Sequence, residues 1–260
     1  MYKPVMKAHL ISQVLLKRFS QNSKVKVHSL KDHTYYLSDT KDIAYIDVAN
    51  GLFKPIEHKY GYAETRMATA FQYLDDGSLL KYPKHIESVK MFIALHYVRS
   101  AIFYLLMQRE PEHFEKFMKD AKITHPSNKE EIEKNKEILR HELREKMIEN
   151  MPALIKLLIK KVETHIEGYD LEVGIAPAGV KFLIGDIATL TISEDGSIGV
   201  LSGAAVTNSI AFGMPLGPNH LVALTVSNKS TTYRQFTSRE VGNCNEKLLK
   251  QCVAEYYTLP

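Results

Sequence analysis

Five polar side chains stand where packing alone would favour apolar ones, and their types suggest proton transfer on, or binding of, a phosphate. Arg99 lies in an apolar run with Phe92, Leu95, Val98, Ile102 and Leu106 around the helical wheel. A guanidinium near a buried face needs an anionic or carbonyl partner. Glu64, in the preceding segment YGYAETRMATAFQYL, is the expected partner, because antiparallel helices joined by a turn can bring the two together. His9 opens the apolar face of the first predicted helix, and an imidazole exchanges protons near neutral pH. Asp186 ends the buried-looking run KFLIG, where side chains emerge at a sheet edge, and Asn245 adds an amide on the last predicted helix.

Taken together, His9, Asp186 and Glu64 are the candidate catalytic groups, with Arg99 and Asn245 as candidate binding groups. His9 and Asp186 are expected to meet at the mouth of one pocket, the carboxylate orienting the ring or holding a metal ion, with magnesium the candidate cofactor. Each residue also has an architectural reading. Arg99 and Glu64 can be a buried structural pair, His9 a helix-capping or core imidazole, Asp186 a turn residue and Asn245 a packing amide.

The elements that must position these residues follow from periodicity. Apolar positions at Leu10, Ile11, Val14, Leu15 and Phe19 predict an amphipathic helix over 6–19, and KVKVHSL and HTYYLS predict a β-hairpin around Lys31 and Asp32. A helix is predicted from Pro55 to Leu74, stopped by Asp75-Asp76-Gly77, and a second over 84–109. Pro111 suits the first turn of a short helix over 111–121, and a long charged helix over 128–165 carries Pro152 as a kink.

After Gly168 the texture changes to short β-rich runs, LEVGIA, VKFLIGD, ATLTIS, GSIGVL and HLVALTV, before a final helix over 240–257. The expectation is a single α+β domain over 1–260, with a helix and hairpin over 1–50. A predominantly helical layer covers 55–165, and a small sheet forms in the C-terminal half from 169–236.

Composition narrows the function classes. The 34 basic and 30 acidic residues leave a net charge of +4, too slight to name a partner. Cys244 and Cys252 are two turns apart on a predicted helix, beyond disulfide reach, and no zinc or redox pair is present, which points to a reducing cytoplasm. The amino terminus is interrupted by Lys7, His9, Ser12, Gln13 and Lys17-Arg18, so it reads as a mature start. Met91 to Met107 contains His96, Arg99 and Ser100, which favours a buried helix over a membrane span. GIAPAGVK has valine where a phosphate loop requires lysine, and there is no nucleophile elbow, zinc helix, dinucleotide turn or calcium loop.

Several segments together resemble a known family. His9-Leu10-Ile11-Ser12-Gln13-Val14-Leu15-Leu16-Lys17-Arg18-Phe19 is similar to the opening signature of the family called domain of unknown function 4238. FIALHYVRSAIF resembles that family's apolar helix, Phe182 to Ala188 its Phe-x-x-Ser-Asp-x-Pro segment, Met214 to Pro218 its Pro-Leu-Ser-Pro segment, and Asn245 its late asparagine. Ser12 and Ala188 stand where proline is usual, Leu15 where tyrosine is usual, and Gly185 and Gly217 where serines are usual.

The resemblance brings no established activity. With the basic patch Lys156, Lys160 and Lys161, the polar set supports a nuclease-like bacterial or phage-related effector acting on RNA or DNA. The alternative is a non-enzymatic regulatory module that binds a protein partner through the 128–165 helix, its buried polar residues being structural.

Overall fold

The structure is a computed structural model, described for residues 5–49, 54–107, 153–194, 209–226 and 231–260. The chain opens with a strand, β1 (Val5–His9), followed by one helical turn, α1 (Gln13–Leu16), and a 3-10 turn at Lys17–Phe19. The helix predicted over 6–19 is therefore confined to its second half. The first half pairs antiparallel with β4 (Tyr45–Ala49), a non-local partner that local periodicity cannot reveal. The apolar spacing was real: Ile11, Leu15, Leu16 and Phe19 are all fully buried.

Strands β2 (Lys24–Ser29) and β3 (Tyr35–Asp39) form the predicted hairpin. Helix α2 (Lys54–Asp75) buries Ala63, Met67, Ala70, Phe71 and Leu74, the stripe expected of a helix with one face on the core. It stops at Gly77, φ 74°, where the Gly77 N–H donates to the Leu74 carbonyl and the Ser78 N–H to that of Tyr73. That pair of bonds is a Schellman cap, and it turns the chain sharply into the next helix.

Helix α3 (Pro83–Met107) is buried nearly all round between Ser88 and Ala101, with Val89, Phe92, Ile93, Leu95, Val98 and Ala101 all at 3% exposure or less. It runs antiparallel to α2, Phe71 meeting Phe92 edge-on with centroids 6.2 Å apart. Among the described residues no helix is long and apolar enough to cross a membrane. The residues 153–166 are helical and are called α4. The helix predicted over 111–121, most of the one over 128–165 with its kink at Pro152, and the run GSIGVL lie outside the described residues.

The remaining strands are β5 (Asp170–Ile175), β6 (Ile184–Gly185), β7 (Leu190–Ser193), β8 (Ser209–Gly217), β9 (His220–Thr225) and β10 (Thr232–Gln235). They precede α5 (Ser238–Gln251) and β11 (Glu255–Thr258). Five of them form a sheet in the order β10-β5-β9-β8-β7, antiparallel except for the β10–β5 pair. Helix α3 packs on it through Tyr97, edge-on to Phe212 of β8 at 5.5 Å.

The fold is mixed α and β, but it corrects two expectations. Helices do not dominate, and strands are not confined to the C-terminal half: β6 leaves the large sheet and joins β3-β2-β11-β6, which combines the N-terminal hairpin with the end of the chain. The last helix also ends at Gln251 rather than running to 257. The Glu255–Thr258 segment is a strand because its alternating side chains find the open edge of β2, with Tyr257 buried beside Val27 and Tyr256 beside His28.

Candidate functional site

The antiparallel α2–α3 hairpin brings Arg99 and Glu64 together, as the sequence suggested. Arg99 Nη1 lies 3.6 Å from Glu64 Oε1, with the arginine side chain 11% exposed and the glutamate 30%. The pair thus straddles the edge of the core, cation inside and carboxylate toward solvent. One helical turn before Arg99, the His96 ring is fully buried; its Nδ1 donates to the Phe92 carbonyl and its Nε2 accepts the Ser12 N–H at 3.2 Å. Burial, assisted by the nearby Arg99 charge, drives the ring down to about 3, so it is neutral. Ser12 stands where the family usually has proline. A proline has no N–H to offer, so this hydrogen bond depends on that departure.

The same contact draws the segment 9–13 alongside α3. His9 closes β1 instead of opening a helix, and its ring packs edge-on to Tyr45 at 6.3 Å. The Gln13 amide approaches His9 Nδ1 at 3.4 Å and donates to the Thr40 carbonyl at 2.5 Å. An amide NH2 can only donate, so Nδ1 accepts in this contact. The Ser12–His96 bond thus sets the β1–α1 junction, which bears His9, against the α3 helix that carries Arg99.

Asp186 and Asn245 do a different job. The Asp186 carboxylate is 2% exposed and accepts four backbone N–H groups: Ile187 and Val253 on Oδ1, Ala254 and Glu255 on Oδ2, at 2.6 to 3.0 Å. Burial holds the carboxyl above the ordinary carboxylate range, and the four donors offset only part of that rise. A carboxylate with its four lone-pair directions taken has little left to orient an imidazole or hold a metal ion. Asn245 accepts the Leu183 N–H and donates to the Lys181 carbonyl, and Gln251 donates to the carbonyls of Ile187 and Thr189. The three residues fasten α5 and β11 to the segment 181–189.

Two glycines at serine positions of the family signature are explained by close approach. A Cβ on Gly185 would run into Cys252 Sγ. A Cβ on Gly217 would meet Arg18 Nε at 2.8 Å.

That arginine is the centre of a cluster the sequence did not suggest. Arg18 donates to Leu216 O through Nε and to both oxygens of Asp75 through Nη1 and Nη2, and its guanidinium stacks on Phe71 at 4.5 Å. His220 Nδ1 lies 3.6 Å from the same carboxylate. Burial raises the Asp75 carboxyl, but the Arg18 hydrogen bonds and charge outweigh it and leave it below the ordinary range. Burial keeps His220 below its usual value, against the pull of Asp75. The sequence marked Asp75-Asp76-Gly77 as the end of α2 and set Arg18 and Leu216 in family-like segments, but not that these residues meet.

Among the described residues no group of three or more His, Cys, Asp or Glu side chains is placed to hold a metal ion. Lys156 and Lys160 are exposed on α4 and Lys161 is half-buried. No curated protein and no solved structure matches the chain. The family model described as protein of unknown function DUF4238 matches residues 7–258, nearly the whole length, so the chain belongs to that family.

Proposed function

We propose that the protein acts on nucleic acid as a nuclease-like effector, with His9 and Glu64 moving protons and Arg99 neutralising phosphate charge. The reading is carried by the Arg99–Glu64 pair, which lies at the edge of the core beside the segment bearing His9. A guanidinium at such an edge can exchange a carboxylate for a phosphate oxygen without leaving its pocket. An imidazole and a carboxylate are suited to activate a nucleophile and protonate a leaving oxygen. Glu64 is the oxygen ligand this group would offer a magnesium ion. Asp186 and Asn245 position the C-terminal segment and take no direct part. As a bacterial or phage-related effector the protein would work in the cytoplasm, where its nucleic-acid target is.

The test is cleavage of mixed RNA and DNA by the purified chain, with and without magnesium, compared with folded His9→Ala and Glu64→Gln variants. Both variants are expected to lose about 100-fold or more in rate. Variants as active as the parent would remove these residues from the mechanism, and toxicity on induced expression gives an independent cellular readout.

A second reading, a non-enzymatic protein-binding or regulatory module, is favoured by the internal hydrogen bonds of His96, Asp186 and Asn245. Absence of cleavage on both nucleic acids, with normal growth on expression, is its expected signature.

A further inference from the structure

The outer face of the β2–β3 hairpin carries rings and cations in alternation. Lys24, Lys26 and His28 point away from the core while Val25 and Val27 are fully buried, the period-two pattern of a sheet with one wet face. Register places Tyr256 opposite His28 and His28 opposite Tyr35, so three rings stand in a row across β11, β2 and β3. The His28 ring lies 4.3 Å from Tyr256, nearly parallel at 7°, and 6.0 Å from Tyr35. Tyr256 is partly buried beside α5, whereas at the other end of the row Tyr35 is 66% exposed and Leu37, next on the same face, 59%.

Lys26 holds its ammonium 3.9 Å over the Tyr35 ring. Within the hairpin Asp39 is tied to Lys24 at 3.0 Å and Asp32 takes the Ser29 hydroxyl at 3.1 Å. Glu255 of β11 turns to the opposite face, where its carboxylate accepts the Tyr36 and Tyr257 hydroxyls. Lys24 being paired, Lys26 is the cation at the Tyr35 ring, and Lys31 stands exposed at the turn next to Asp32, which keeps its charge while accepting a hydroxyl.

We propose that this face binds single-stranded nucleic acid, a base stacking on Tyr35 beside Leu37 while Lys26 and Lys31 hold the flanking phosphates. An exposed aromatic on a sheet, bordered by lysines, offers a π-face to any unpaired base, whereas the bases of a duplex are already stacked and inaccessible. The inference takes its ligand class from the function proposed above, but the residues that carry it are distinct from His9, Glu64 and Arg99.

Fluorescence anisotropy of the full chain with short labelled single-stranded RNA, single-stranded DNA and a duplex tests it. The single strands should bind more tightly than the duplex. Tyr35→Ala should weaken single-strand binding about tenfold, consistent with loss of one stacking contact. Tyr35→Phe should bind like the parent, because the π-face remains. Lys26→Met should lower the slope of log affinity against log salt by about one ion. Tyr35 is exposed, so the thermal midpoint of these variants should stay close to the parent's.

Parent-like binding by Tyr35→Ala, equal affinity for duplex, or no binding at all would each overturn the proposal. So would a dimer seen by light scattering that Leu37→Asp dissolves without nucleic acid being bound, since the face would then join two copies of the chain. Separate outcomes distinguish it from the catalytic reading. Tyr35-dependent binding without cleavage supports this face and removes the nuclease. Cleavage lost in His9→Ala with parent-like binding by Tyr35→Ala does the reverse.

Discussion

At the C-terminal clamp a buried carboxylate receives four backbone N–H groups, whereas at the α2–α3 hairpin an arginine meets a carboxylate across 3.6 Å at the rim of the core. Both regions place charge in apolar surroundings, but they satisfy it differently. Asp186 is compensated by the backbone of the segment it organises, so its role is spent in holding the fold. The Arg99–Glu64 pair compensates itself with side chains, which can be re-partnered by a ligand. Desolvated charge thus marks architecture in one region and candidate chemistry in the other, and the partner's type tells them apart.

The sharpest way to break this distinction is Asp186→Ala, which leaves four N–H groups without their acceptor. Equilibrium unfolding in denaturant should show a loss of about 3–5 kcal/mol, with β11 released from the four-stranded sheet. A loss below about 1 kcal/mol would mean that the clamp is ornamental. Arg99→Ala comes next. The pair is only partly withdrawn from solvent, so the expected cost is about 2–3 kcal/mol in the same measurement, with Arg99→Lys recovering part of it.

His96 gives the hairpin region a pH dependence that Asp186 does not share in. Its folded value near 3 lies below the ordinary imidazole value, so the unfolded chain binds the proton first as pH falls. The stability that the neutral ring contributes is complete above about pH 6.5 and is lost progressively between there and about pH 3, at up to about 1.4 kcal/mol per pH unit. Unfolding free energies followed from neutral to acidic pH should show that slope in the parent and a shallower one in His96→Gln.

The smallest expected effect tests the clamp's packing. Gly185→Ser introduces a Cβ against Cys252 and should cost about 1–3 kcal/mol, most of which the second change Cys252→Ala should restore. If the two losses simply add, the glycine is not there for the cysteine.

Much of the scaffold was legible locally. The α2 helix, its stop at Asp75-Asp76-Gly77, the β2–β3 hairpin and the strands at 171–175 and 220–225 follow from periodicity and turn residues, and the structure contains each of them. The Arg99–Glu64 pairing was legible too, because a short turn between two helices leaves few ways for them to pack. The errors fall where a segment's partner is remote. β1 looked helical until β4 is placed beside it, and the end of α5 looked helical until β2 is placed beside 255–258.

By itself the sequence determined the apolar stripes of the first segment, α2 and α3, where the α2–α3 turn must fall, and that Arg99 needs an anionic partner. Tertiary structure alone decided that Asp186 is enclosed by the backbone of 253–255 and that Arg18 spans from Asp75 to Leu216. It also decided that Tyr35, His28 and Tyr256 stand in one row. Patterning depends on neighbours within a few residues, which share one helix or strand. Apart from the His28–Tyr35 step inside the hairpin, these arrangements join positions separated by roughly 60 to 230 residues, and no local propensity carries that information.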